Sequence, residues 1–98
     1  MKQASAIKCL SAISHDGRLS LMRHLIKAGP SGMSSGELAA AEKINASTAS
    51  AQLLVLSNSG LVKASRNGKQ MIYQAQYNQF QRLISFLMDD CCKGYLDD

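Results

Sequence analysis

The stretch Asn45–Tyr73 limits the possible folds of this chain more than any other. Asn45 is a strong helix-capping residue, and the segment after it, Ala46–Ser59, has helical spacing and stops at Gly60. An apolar–polar alternation begins at once, interrupted only by Asn67-Gly68, a dipeptide suited to a two-residue hairpin loop. That loop predicts pairing of Arg66 with Lys69, Ala64 with Met71 and Val62 with Tyr73. Val62, Ala64, Met71 and Tyr73 then share one face, and Lys63, Ser65, Gln70 and Ile72 share the other. Along the helix, Ala49, Leu53 and Leu56 form one side with Gly60. Ser47, Ala51, Leu54 and Asn58 fall opposite, flanked by Thr48 and Ser50.

The residues upstream read as further short helices. Ala4–Ser14 is the first, with Ala6, Ile7, Leu10 and Ile13 on its apolar side. Asp16 is the expected N-cap of a second helix that Gly29-Pro30 ends near Ala28, with Leu19, Met22, Leu25 and Ile26 as its apolar stripe. Ser34 and Glu37 have capping-box spacing and open a third, short helix. With Ala46–Ser59 as the fourth, the third and fourth helices form a helix-turn-helix. A last helix is predicted from about Asn78 to Cys92, stopped by Gly94, with Phe80, Leu83, Ile84, Leu87 and Cys91 in one stripe. The expected fold is therefore mainly α with a small β-hairpin: a winged helix-turn-helix of about five helices plus a two-stranded wing. The 98 residues are expected to form a single DNA-binding domain, 1–98, with one core.

Charge is distributed unevenly. Residues 1–88 hold ten Lys/Arg against three acids, whereas residues 89–98 hold four Asp against Lys93. A basic body with an acidic end suits a nucleic-acid binder whose terminus lies away from the phosphates. An ordinary basic protein would have the same net charge. No signal peptide or membrane span is present, which predicts a cytoplasmic protein. His15, Asp16 and His24 do not form a Ser/His/Asp set, and no HExxH or phosphate-binding glycine loop occurs, so no enzyme is expected.

In order and spacing, these segments resemble the ArsR/SmtB family of winged-helix metal- and metalloid-responsive repressors. Residues 12–25 (AISHDGRLSLMRHL) look like its opening, 34–62 (SSGELAAAEKINASTASAQLLVLSNSGLV) its helix-turn-helix and 64–75 (ASRNGKQMIYQA) its wing. Residues 83–94 (LISFLMDDCCKG) are similar to the close of an arsenite-responsive subgroup that ends in a Cys-Cys pair. The resemblance implies a homodimer built from the first and last helices, with the fourth helix in the major groove of double-stranded operator DNA. Ser47, Thr48, Ser50, Ala51 and Gln52 would face the DNA, with Lys43, Lys63, Arg66 and Lys69 as phosphate contacts. Members often have Arg or Lys where this chain has Ala51 and Leu54, and His in place of Gln52, so this recognition helix is uncharged. Gln52 could bond adenine and Leu54 could touch a thymine methyl; alternatively Leu54 is packed and Ser47, Thr48 and Ser50 read the bases.

The family's usual metal patterns are missing. The segment Met33–Leu38 has no thiol, and the last twenty residues have no His. Cys91 and Cys92 remain as soft ligands for As(III) or Sb(III), with Cys9 the sole further thiol and no other cofactor required. A two-thiol site completed by solvent or a small thiol is an alternative. Two rival readings are a thiol-based redox or persulfide-responsive repressor and a winged-helix protein-interaction module without an effector. The plainest reading makes Cys9 and Cys91 small apolar residues at a helix interface.

Overall fold

Side-chain caps start three of the helices. A computed structural model describes residues 1–96, ordered as α1 (Gln3–Ile13), α2 (Asp16–Ala28), a 3-10 turn (Gly29–Ser31), β1 (Met33–Ser34), α3 (Ser35–Glu42), α4 (Ala46–Asn58), β2 (Val62–Asn67), β3 (Gln70–Ala75), α5 (Tyr77–Met88) and the single-turn α6 (Lys93–Leu96). At α3 the capping box is complete: Glu37 N donates to Ser34 Oγ at 3.1 Å, and Ser34 N donates to Glu37 Oε1 at 3.0 Å. At α4, Asn45 Oδ1 accepts from Thr48 N at 2.8 Å. The cap of α2 is His15 and not Asp16: Nδ1 of His15 accepts from Arg18 N at 3.3 Å. Asp16 is the first helical residue, where its charge still complements the helix dipole.

The core takes Ala6, Cys9 and Ala12 from α1, Leu21, Met22 and Leu25 from α2, and Leu38, Leu53, Leu56, Leu61, Val62, Ala75 and Leu83 from the rest. The expected side of α4 is thus the buried one. The expected stripes of α1 and α2 are borne out at Ala6, Met22 and Leu25, which are buried, and corrected at four positions. Ile7 and Leu10 are exposed on α1, as are Leu19 and Ile26 on α2. Small residues face inward on α1 because they let its backbone approach its neighbours closely, which leaves the bulkier side chains outside.

The wing has the expected faces and a different register. Val62 pairs with Ala75, Ala64 with Tyr73, Arg66 with Met71 and Asn67 with Gln70, so the loop is Gly68-Lys69. Only Gly68 has positive φ there, at 65°, the pattern of a type II′ turn; a type I′ turn on Asn67-Gly68 would need positive φ at both. The pairing is displaced by two residues, and a displacement of two preserves which side chains share a face. A third strand, β1, pairs with β3 at Met33–Tyr73 and Ser34–Ile72, giving the sheet order β1-β3-β2. Gly32 (φ 69°) leads into it, and a Cβ there would collide with the Tyr73 carbonyl.

Helix α5 ends at Met88 and does not reach Cys92. Asp89 turns extended, at φ −57° and ψ 135°, and Asp90 and Cys92 both adopt positive φ. On α5, Leu83 is buried, Phe80 and Phe86 pack against the core, and Ile84, Leu87 and Met88 are exposed. His24 Nε2 lies 2.9 Å from Glu42 Oε1 and ties α2 to the end of α3. Among the described residues, no helix is long and apolar enough to cross a membrane.

The capping box is open to measurement. Its hydrogen bonds from Ser34, backbone first and side chain second, hold the Glu37 carboxyl below its ordinary pKa. The stability this contributes is present above the ordinary carboxylate pKa and lost as pH falls through the lowered value. Ser34→Ala should cost about 1 kcal/mol in urea unfolding at pH 7. Glu37→Gln, which keeps the Ser34 cap but cannot ionise, should flatten the loss of stability that the wild type shows in acid; an unchanged pH dependence would show that Glu37 takes no part.

Candidate nucleic-acid interface and thiol pair

Helix α4 buries Ala49, Leu53 and Leu56 and turns the opposite side to solvent. Ser47, Thr48, Ser50 and Ala51 are exposed, and so is Leu54, at 61%. Leu54 is therefore not packed within the chain. Ser47 Oγ donates to Asn45 Oδ1 at 2.8 Å, so its hydroxyl is oriented by the cap while its lone pairs remain open. Gln52 is placed differently: it is half-buried, and its Oε1 accepts from Arg18 Nη1 at 3.2 Å.

Lys43 ends α3 in a left-handed conformation, φ 56°, and its side chain is exposed. Lys63, Arg66 and Lys69 are exposed on the wing, with Lys63 and Arg66 on opposite faces of the hairpin. The ion pairs among the described residues are His24–Glu42 and Lys93–Asp90, so no carboxylate neutralises these four cations there. Exposed, unneutralised Lys and Arg beside a neutral helix face can contact a polyanion without first breaking an internal pair.

Arg18 escaped the sequence reading. Its guanidinium donates to Ala12 O at 2.6 Å, Ser11 O at 3.4 Å and Gln52 Oε1. One local signal pointed to it: a cation in the first turn of a helix opposes the dipole and needs another reason to be there.

Cys91 and Cys92 lie in the turn between α5 and α6, both exposed, with their sulfurs 3.2 Å apart. That arrangement differs from an extension of α5 and rules out burial of Cys91 against the chain's own helices. Asp90 and Lys93 pair across the same turn at 2.5 Å. The hydrogen bond to Cys92, helped by desolvation, pushes the Cys91 thiol above its ordinary pKa. Two adjacent thiols at this spacing can share one soft ion.

Cys9 is elsewhere. It is fully buried, its Sγ donates to Ser59 O at 3.4 Å, and it accepts from Gln79 Nε2 at 3.6 Å. Within one chain it is not brought to Cys91 and Cys92, and among the described residues no group of three His, Cys, Asp or Glu could hold a metal ion.

Residues 13–63, slightly more than half of the chain, match a helix-turn-helix domain family. The transcriptional repressor BigR from Xylella fastidiosa is 32% identical, with 87% of this chain and 85% of that one covered and a TM-score of 0.65. An ArsR-like transcriptional regulator from Rhodococcus superposes with a TM-score of 0.82 at 19% identity, covering 96% of this chain and 86% of that one. A homodimeric winged helix-turn-helix DNA-binding domain from Mycobacterium bovis, a possible ArsR-family transcriptional regulator, gives 0.72 at 23% identity, covering 89% and 81%. No curated protein matches the chain in sequence. The chain belongs to the helix-turn-helix domain family, in the winged form shared with ArsR-family transcriptional regulators.

Proposed function

We propose that this protein is a homodimeric transcriptional repressor that leaves its operator DNA when As(III) or Sb(III) binds Cys91 and Cys92. The observation that carries the DNA-binding part is the neutral, exposed side of α4 beside a wing whose Lys63, Arg66 and Lys69 have no carboxylate partner among the described residues. Phosphate attraction comes from these residues and Lys43, and sequence reading comes from α4. Leu54 and Ala51 suit thymine methyl groups, and Ser47 and Ser50 can bond base edges. The homodimeric Mycobacterium bovis domain supports a dimer here. So do the apolar side chains that α1 and α5 leave outside: Ile7, Leu10, Ile84, Leu87 and Met88.

The effector assignment rests on the exposed thiol pair. Vicinal sulfurs 3.2 Å apart supply two soft ligands, and solvent or a small thiol completes a pyramidal site. Cys9, hydrogen-bonded in the core, has no place in it. The same sulfur spacing would serve an oxidative switch. The raised Cys91 pKa opposes that use, because less thiolate at neutral pH means slower attack on an oxidant.

Titrating arsenite, zinc and peroxide against a preformed protein–DNA complex tests the reading. Arsenite should dissociate the complex of the wild-type chain and of Cys9→Ala, and fail with the Cys91→Ser/Cys92→Ser double variant. A full response of the double variant would sink the sensor assignment, and release by peroxide alone would favour the redox reading.

DNA binding itself should fall steeply with salt, with a log–log slope of roughly −7 if four cations per protomer each meet a phosphate. Arg66→Ala should weaken binding to all duplexes alike and flatten that slope, whereas Ser47→Ala should alter sequence preference. A slope near zero would reject the DNA-binding reading in favour of a protein-interaction module. For the thiols, iodoacetamide should modify Cys91 more slowly at pH 7 in the wild type than in Cys92→Ala, where the hydrogen bond that raises its pKa is gone. Equal rates would show that the bond does not form in solution.

A further inference from the structure

The Arg18 guanidinium spans three helices. It sits in the first turn of α2, its Nε and Nη2 reach the Ala12 and Ser11 carbonyls near the end of α1, and its Nη1 reaches Gln52 in the middle of α4. Carbonyls in the last turn of a helix lack intrahelical donors, so Arg18 caps α1 and grips α4 with one rigid group. A lysine ammonium has no planar fork with which to bridge such separated acceptors.

The grip decides what Gln52 can do. A glutamine that reads adenine uses both ends of its amide, accepting from N6 and donating to N7. The Oε1 of Gln52 is already engaged. Its side chain also lies against the start of α2: a Cβ added at Gly17 would stand 3.7 Å from Gln52 Nε2. On the α4 wheel, Ser47, Ala51 and Leu54 lie opposite the buried Ala49, Leu53 and Leu56, and Gln52 lies on the flank between those two sides.

We infer that Arg18 and Gln52 are positioning residues, a clamp that sets the angle of α4 to α1 and α2 so that Ser47, Ala51 and Leu54 meet the bases. Gln52 is then not a base reader. The inference rests on the DNA-binding reading above. It links α1, part of the proposed dimer interface, to the DNA-facing helix through one side chain, so the rotation of α4 follows the position of α1.

The experiment uses the full chain and a duplex selected from a randomised pool, compared with a scrambled duplex of the same length. Arg18→Met, Gln52→Ala, their double variant and Arg18→Lys are measured for discrimination between the two duplexes, salt dependence and urea unfolding. Arg18→Met and Gln52→Ala should each lower discrimination about tenfold, and the double variant should be no worse than either. All should select the same sequence as the wild type. Arg18→Lys should keep the salt slope and still lose discrimination, which separates clamping from phosphate binding. If Arg18→Met does not fold, Arg18→Lys with Gln52→Ala completes the cycle.

Losses that multiply, or a Gln52→Ala variant that prefers a new base at one position, would overturn the clamp and leave DNA binding standing. A wild-type chain that enriches no duplex would instead remove the DNA-binding reading, and the clamp's role with it.

Discussion

Ser59 joins the two working parts of this fold. Its hydroxyl donates to Leu56 O at 2.7 Å and accepts from Leu61 N at 3.2 Å, so one buried group closes α4 and directs the chain into the wing. Its carbonyl accepts from the Cys9 thiol of α1. Two residues on, Leu61 is fully buried, and its carbonyl accepts from Gln76 N at 2.8 Å, which brings the returning strand to the start of α5. The angle between helix and wing is therefore set by buried, satisfied polar groups with few alternatives. Without this junction, α4 and the hairpin would be two elements joined by a loose turn, unable to hold a helix and a basic tip at fixed separation.

Features specified by neighbouring residues were legible in the sequence, and features set by distant contacts were not. The caps at Ser34 and Asn45 involve residues three apart, and both are present as read. The buried side of α4 followed from spacing alone. The wing's faces were readable because alternation fixes them, whereas its register depended on which backbone conformation Gly68 took. The two-residue strand β1 carries no periodicity and exists only because β3 is there to pair with it.

Helix α1 gives the most instructive error. Large apolar residues ordinarily mark the core, which made Ile7 and Leu10 the expected inward side. Of that side the chain buries only Ala6, and it adds Cys9 and Ala12. A small-residue seam brings the α1 backbone close enough for Cys9 to reach a carbonyl of the α4–wing junction and for Arg18 to reach the α1 carbonyls. A single sequence cannot show which of two apolar stripes faces the core and which faces a partner. The same ambiguity divided the α5 stripe, where Leu83 goes inward while Ile84 and Leu87 stay out.

The thiol pair lies outside this rigid centre. Beyond Met88 the described backbone is held by short local bonds, Cys91 N to Met88 O at 2.9 Å and Lys93 N to Asp90 O at 3.1 Å, and two of its residues have positive φ. Segments of this kind reorganise at small free-energy cost, which suits a site that must change shape on binding a ligand. In the proposed reading, an ion held by Cys91 and Cys92 acts first on the adjoining end of α5, where Leu87 and Met88 lie exposed on the proposed dimer face. Coupling to DNA then runs from the dimer face through α1. A shift between protomers moves α1, and α1 is fastened to α4 through Cys9 and Arg18. The neutral side of α4 makes that coupling effective: with little charge of its own to hold it on the phosphates, it depends on correct orientation more than a basic helix would.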